Sequence, residues 1–318
     1  MMINLNQCAE YLENKDNFLL LCHMSPDGDT VGSATALARG LVSKGKKVMV
    51  KCGDPFTNDF SFMFDGLELT EQEDYDCVVA IDVADPKLLG EELNEIYGKN
   101  IDICIDHHAS NVIYAEDTLL EGDSASAAEI IYLLLKEMKV EITPVIASCL
   151  FTGVSTDTGC FRFSNTTTRT FRIASELVDA GADSYNIIQV FFETKTKTYA
   201  ILERLSLESM RFYYDDRCAV ICVTQDMLKR SGSDETETTK LANLPRMVEG
   251  VKVGVLVKEL KDGSFKASIR THGEIDASAI ASRLGGGGHA GAAACTVNAA
   301  KNEAINLILK EVKAELDG

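Results

Sequence analysis

Apolar positions in the first half of the chain come in short unbroken blocks. "FLLLCH" (18–23), "KKVMVKC" (46–52), "DCVVAID" (76–82) and "IDICIDHH" (101–108) are such runs. Continuous Val/Ile/Leu stretches of this length, without period-two alternation, predict strands buried on both faces. Helical patterns lie between and after them. The small-residue stretch 31–44 predicts one helix, and "SASAAEIIYLLLKEMKV" (124–140) an amphipathic one. "TPVIASCLFTGVSTDTG" (143–159) predicts a further helix, or a helix and a turn. Strands alternating with helices predict an α/β fold, a mostly parallel sheet with helices on both faces. Ligands bind such sheets beyond the carboxyl ends of the strands, where the polar residues of this half fall.

The second half has a different rhythm. Residues 169–214 are predominantly helical and carry a boundary near 190–212. Strands are predicted over 218–224, 251–260 and 264–271, with a loop or helix cap over 230–240 and a short helix over 276–284. After "GGGGH" (285–289) come a strand, "AAACTV", and a closing helix, "NEAINLILKEVKAEL". At 318 residues, two cores are expected. The pattern divides the chain into an N-terminal domain over 1–190, a helical linker over 191–212 and a smaller α/β C-terminal domain over 213–318.

Composition narrows the classes. Hydrophobic residues make up 46% and charged residues 25%, as in ordinary globular chains. No apolar run reaches the roughly 18–20 residues that cross a bilayer, and the polar start lacks a signal-peptide pattern. The expectation is therefore a cytoplasmic protein with no membrane partner. The ten cysteines are scattered, several inside strand runs, and no CxxC pair occurs. Buried free thiols are expected rather than a disulfide framework. A net charge of −18 argues against long duplex nucleic acid, which needs a basic footprint. A small anionic ligand remains compatible if cations concentrate at one site, and bound metal ions do this most simply.

Four groups of acids and histidines stand at predicted strand or loop ends. They are His23, Asp27 and Asp29 in "HMSPDGD"; Asp82 after "CVVAI"; Asp106, His107 and His108 after "IDICI"; and Asp157 in "STDTG". A single aspartate at a strand end is ordinarily a cap or turn residue. A parallel sheet, however, gathers such ends in space, and three of the five histidines are among them. Carboxylates and imidazoles without thiolates suit a hard or borderline divalent ion, manganese first, with magnesium, cobalt or iron as alternatives. Six or seven ligands exceed the needs of one catalytic ion and suit two, about 3.5–4 Å apart, sharing a carboxylate. Asp27 and Asp29 would then face different ions, with Pro26 and Gly28 shaping the turn.

"HMSPDGD", the isolated Asp82, "DHH" and "STDTG", in this order, resemble the four motifs of the DHH phosphoesterase family. "GGGGH" resembles the signature of that family's DHH-associated C-terminal domain. The resemblance runs from residue 18 to residue 297. It implies one ion held by His23, Asp27 and Asp82, and another held by Asp29, Asp82, His107 and Asp157. It implies catalytic roles for Asp82 as the bridge, for His108 facing the substrate phosphate, and for Asp106 orienting a histidine. The reaction it implies is attack of a metal-bridging hydroxide on phosphorus.

In the C-terminal domain, Arg270 in "SIRTHG", Gly286, Gly287, Gly288 and His289 are the anion-binding candidates. Glycine backbones approach a phosphate closely, and arginine offers a planar fork of donors. Arg162 in "GCFRFSN" could reach the phosphate or serve as a structural ion-pair partner. The chain departs from the family pattern at Ala294, where relatives close the motif with glycine. It also departs in "DVADPKLLG", which lacks their arginine after the isolated aspartate.

Within the family, a short two-domain chain resembles the oligoribonucleases that degrade very short RNAs, including linear dinucleotides, and dephosphorylate adenosine 3',5'-bisphosphate. The alternatives are a cyclic-dinucleotide phosphodiesterase, a family II-like inorganic pyrophosphatase and a non-catalytic nucleotide-binding regulator. The partner expected is short RNA or a nucleotide, with a homodimer as the default assembly.

Overall fold

The computed structural model describes the whole chain except Glu73, Glu274 and Gly318. It divides into two units, Met1–Thr194 and Lys195–Gly318.

The first unit contains α1 (Leu5–Glu13), β1 (Asn17–Cys22), α2 (Gly28–Ser43), β2 (Lys47–Cys52), α3 (Ser61–Phe64), β3 (Cys77–Ile81), α4 (Glu91–Tyr97) and β4 (Ile103–Asp106). It continues with β5 (Asp117–Leu120), α5 (Ala127–Glu137), α6 (Pro144–Asp157), α7 (Thr168–Asp179) and α8 (Ser184–Ile188). The five strands pair in the order β2-β1-β3-β4-β5, all parallel. The unbroken apolar runs are explained by burial on both faces. Phe18, Leu20 and Cys22 of β1 join a core with α1, α2, α5 and α6, while Leu19 and Leu21 join a second core with Leu93 of α4. The chain leaves β1 for β2 on one side and reaches β3 on the other, so the strand order reverses beyond the ends of β1 and β3. A parallel sheet opens a crevice there.

Close helix packing sets the course of the chain beyond β1. At Gly32 of α2, an added Cβ would lie 2.3 Å from the carbonyl oxygen of Cys149 in α6. At Gly153 of α6, it would lie 2.6 Å from Ala128 Cβ and 2.8 Å from Asp29 Oδ1. Only glycine admits this approach, which presses α6 against the N-terminal turns of α2 and α5.

Several local features differ from the pattern reading. α2 begins at Gly28, because Asp27 is its N-cap and accepts hydrogen bonds from Asp29 N and Thr30 N. Asp157, expected at a strand or loop end, is the last residue of α6. α1, closed by an Asn4–Gln7 capping box, and the four-residue β5 were not anticipated. Both are too short for periodicity to reveal.

The second unit contains α9 (Lys197–Glu208), β6 (Arg211–Tyr213), β7 (Cys218–Val223), α10 (Gln225–Ser231), β8 (Val253–Glu259) and β9 (Phe265–Thr271). It ends with α11 (Ala277–Ser282), β10 (Gly287–His289), β11 (Ala292–Val297) and α12 (Lys301–Leu316). Its sheet runs β10-β11-β9-β8-β7-β6 and is antiparallel except for β7 beside β8. One face, with Phe265, Ala267 and Ile269, packs on α11 and α12. α9 lies with this unit, and residues 236–243 form a 3-10 helix where a loop or cap was expected. All ten cysteines are free, eight of them buried. Among the described residues, no helix is long and apolar enough to cross a membrane.

Candidate metal centre

Asp27 and Asp29, two residues apart, do different work. Asp27 caps α2 with Oδ1, which also lies 3.6 Å from His23 Nε2. His23 turns Nδ1 toward its neighbour's carbonyl, Met24 O at 2.8 Å, and Nε2 toward Asp27 and Asp82. Asp29 is fully buried. Its Oδ2 accepts from Ala127 N at 2.6 Å and its Oδ1 from Ala128 N at 2.9 Å, at the N-terminus of α5. That helix end is a favourable seat for a carboxylate.

Asp82 follows β3 with φ at 61°, a left-handed conformation costly for a non-glycine residue. Such strain persists where surrounding structure imposes it. Here Asp82 N donates to Ile105 O, and the side chain reaches His23, His107 and His108. Asp82 Oδ1 lies 3.5 Å from His107 Nε2 and 3.4 Å from His108 Nδ1, and Oδ2 lies 3.7 Å from His23 Nε2. His107 Nε2 is also 3.4 Å from Asp157 Oδ2 and 3.9 Å from Asp29 Oδ2. Asp106 is fully buried, and its Oδ1 meets His108 Nδ1 at 2.8 Å and accepts from His107 N at 2.8 Å. Asn111 Nδ2 donates to Asp106 Oδ2 at 2.6 Å. Asp106 therefore fixes the His108 ring and the His107 backbone rather than joining the cluster of open donors.

Electrostatics mark the cluster as short of positive charge. Burial, then the carboxylates of Asp82, Asp157 and Asp27, raise the Asp29 pKa well above the usual carboxylate range. Burial also raises Asp157, to about 7; Asp82 and Asp27 add to the shift, while His107 opposes it. Burial would lower His23, but hydrogen bonds with Asp27 and Asp82 outweigh it and raise the pKa to about 11. The hydrogen bond with Asp106 raises His108 to about 9 against the opposing effect of burial. For Asp106, burial is outweighed by hydrogen bonds from His108 and Asn111, and its pKa is lowered.

Two atoms test whether the cluster suits metal ions. Asp82 Oδ1 and His107 Nε2 are buried and have no hydrogen-bond partner. Leaving such groups unpaired costs about 1–3 kcal/mol each. Donors on adjacent positions of one ion, bonded at about 2.1 Å, lie about 3 Å apart, close to the 3.4–3.9 Å separations here. Three sets of donors converge, His23/Asp27/Asp82, Asp29/His107/Asp157 and Asp82/His107/His108. Asp82 belongs to two of them. An all-oxygen-and-nitrogen donor set, facing inward and overcrowded with negative charge, fits divalent cations.

The other predicted residues are not among these donor sets. Arg162 is exposed and its Nε donates to Gly159 O at 2.5 Å. In the second unit, a cavity of about 350 Å³ is lined by Arg270, Gly287 and Gly288 together with Lys258, Lys266 and Ser268. Cross-strand register explains this, since Lys258 faces Lys266 and Gly254 faces Arg270 across β8 and β9. Burial, then Arg246, lower the Arg270 pKa, as expected of a cation held among cations. Gly286 and His289 are not among the residues lining this cavity. A Cβ at Gly286 would lie 2.2 Å from Ala294 O, so that glycine has a packing reason. Lys258 and Lys266 escaped the motif reading because they stand in ordinary strand alternation; their shared face was the available signal.

Comparison with known proteins matches this division. The model of the DHH family, N-terminal domain, matches residues 17–154, and that of the DHHA1 domain matches residues 217–318. The chain is 30% identical over 306 residues to the bifunctional oligoribonuclease and PAP phosphatase NrnA of Thermus thermophilus, covering 92% of this chain and 88% of the relative. An exopolyphosphatase-related protein from Bacteroides fragilis superposes with a TM-score of 0.89 at 23% identity, covering 98% and 95% of the two chains. The exonuclease RecJ bound to manganese superposes with a TM-score of 0.55 at 15% identity, covering 98% and 93%. These two likenesses concern the fold.

Proposed function

Because the chain belongs to the DHH family of phosphoesterases, we propose that it is a two-ion hydrolase of short oligoribonucleotides, linear dinucleotides included, that also dephosphorylates adenosine 3',5'-bisphosphate. The observation that carries this reading is that the donor sets His23/Asp27/Asp82 and Asp29/His107/Asp157 meet where Asp82 Oδ1 lies 3.5 Å from His107 Nε2, both atoms buried and unpartnered. His23, Asp27 and Asp82 would hold one ion; Asp29, Asp82, His107 and Asp157 would hold the other. Manganese suits their mixed carboxylate and imidazole donors. The chemistry such ions supply when bound is activation of water and neutralisation of charge on the phosphoryl oxygens.

The protein's own groups do the rest. Asp106 engages His108 Nδ1, which leaves Nε2 to hold a proton for a phosphoryl or leaving oxygen. Arg270, Lys258 and Lys266 line the second unit's cavity and supply cations for the anionic groups of a nucleotide. Three cations around a cavity of about 350 Å³ suit a nucleotide-sized ligand, and a net charge of −18 disfavours a long polyanion.

A multiple-turnover assay with manganese tests the reading, using a dinucleotide, adenosine 3',5'-bisphosphate and pyrophosphate side by side. Hydrolysis of the first two is expected. Pyrophosphate as sole substrate, or binding without turnover, overturns it.

A further inference from the structure

One segment, residues 121–129 between β5 and the first turns of α5, holds two of the proposed ligands in place. Ser124 O accepts from His107 Nδ1 at 3.2 Å. A carbonyl can only accept, so the proton sits on Nδ1 and the Nε2 lone pair faces Asp29, Asp82 and Asp157. Three residues further on, Ala127 N and Ala128 N bind the two Asp29 oxygens. What holds the segment itself is Arg169, the second residue of α7. Its Nη2 donates to Glu121 Oε2 at 2.8 Å and to Ser124 Oγ at 2.5 Å. Its Nε lies 3.2 Å from Glu129 Oε2, and the Glu129 side chain is only 1% exposed. A carboxylate buried this deeply requires a cation, and among the described residues Arg169 is the one ion-paired with it. Glu129 Oε2 in turn accepts from Ala125 N. One guanidinium thus holds the segment by hydrogen bonds at residues 121 and 124 and by an ion pair at residue 129, where Nε makes no hydrogen bond.

We infer that Arg169 is a positioning residue for the ion-binding set Asp29/His107/Asp157, acting through Ser124 O and the α5 N-terminus without touching any of the three. Of the other ion's ligands, His23, Asp27 and Asp82 have no hydrogen bond to residues 121–129, and only the shared Asp82 approaches His107, so the other ion should be largely indifferent to Arg169. The fork matters as well as the charge. Lysine has no planar fork with which to hold Glu121, Ser124 and Glu129 together.

This inference rests on the two-ion reading above, and binding measurements separate the two. Calorimetric and electron paramagnetic resonance titrations of chelator-treated protein with manganese should show two sites in the wild type. In Arg169→Lys and Arg169→Ala, one site should weaken by about 10–100-fold while the other keeps its affinity. Nitrogen-15 NMR of the metal-free wild type should show His107 protonated on Nδ1, and mixed tautomers in Arg169→Ala. Ser124→Ala, which removes Oγ but keeps the carbonyl, should fall between wild type and Arg169→Lys, and serves if Arg169→Ala does not fold. A wild type that binds no manganese sinks the two-ion reading. A wild type with two sites, alongside Arg169→Lys with both affinities and the tautomer unchanged, sinks this inference alone.

Discussion

His107 Nε2 and Asp82 Oδ1 lie 3.5 Å apart, both buried, and neither has a hydrogen-bond partner. They are brought together from the ends of adjacent parallel strands, β3 and β4. Asp82→Asn keeps the side chain's size and removes its charge. Losing the partner of a metal ligand typically costs 10–100-fold, so losing a ligand shared by two ions should lower kcat about a thousandfold or more. The same variant should lose the rise in Tm that manganese produces in wild type. That rise corresponds to about 2.7 kcal/mol at a hundredfold excess over Kd. Scanning calorimetry and steady-state rates check both points; a fully active Asp82→Asn removes the bridging role.

His108 should behave as a base strengthened by its neighbour. In the metal-free protein, NMR titration should place its midpoint near 9, raised above the ordinary 6.5 by the hydrogen bond with Asp106. Asp106→Asn should return it toward 6.5. Asp106, whose pKa is lowered, loses its share of the pair's stabilisation of the metal-free fold only as the pH falls through that lowered value. For His108 the folded value is the higher one, so its share is fully present below pH 6.5 and is lost as the pH passes 9. Denaturation of wild type and Asp106→Asn across that window reads the same linkage.

The cavity in the second unit should govern binding rather than chemistry. Lys258→Ala, Lys266→Ala and Arg270→Ala should each raise KM for a dinucleotide about 5–50-fold, corresponding to roughly 1–2 kcal/mol per charged contact, with little change in kcat. Lys258 already pairs with Glu235 at 3.4 Å, so its loss should cost the least of the three. A kcat defect with unchanged KM would contradict the assignment.

Gly153→Ala should report on the packing that presents Asp29. The added methyl would crowd both Ala128 and Asp29 Oδ1. Overpacking of this kind costs typically 1–3 kcal/mol, so chemical denaturation should show that loss together with weaker manganese binding. Stability lost with metal affinity intact would mean that α6 moves without disturbing Asp29.

The order of strands and helices in the first unit was legible because its strands are buried on both faces and therefore read as unbroken apolar runs. The acids and imidazoles that converge were legible in part because glycine and proline mark the turn before α2 and Asp82 and Asp106 stand at strand ends. Asp157, the last residue of α6, was not expected on a helix end. Arg169 and Ser124 were not legible. Their partners lie 45 and 17 residues away, and no local pattern distinguishes an arginine that clamps a loop from one that is merely solvated. Lys258 and Lys266 look like the polar half of an ordinary alternation until the register of β8 and β9 sets them side by side.

Local chemistry along the polymer decided which segments become strands, where α2 is capped and which donor atoms are on offer, since each depends on neighbours a few residues away. Only the folded arrangement decided that Asp82 serves two donor sets, that the oxygens of Asp29 are held by α5, and that His107 turns Nε2 inward. Those outcomes depend on distances between remote segments, and such distances exist only once helices and sheet have packed.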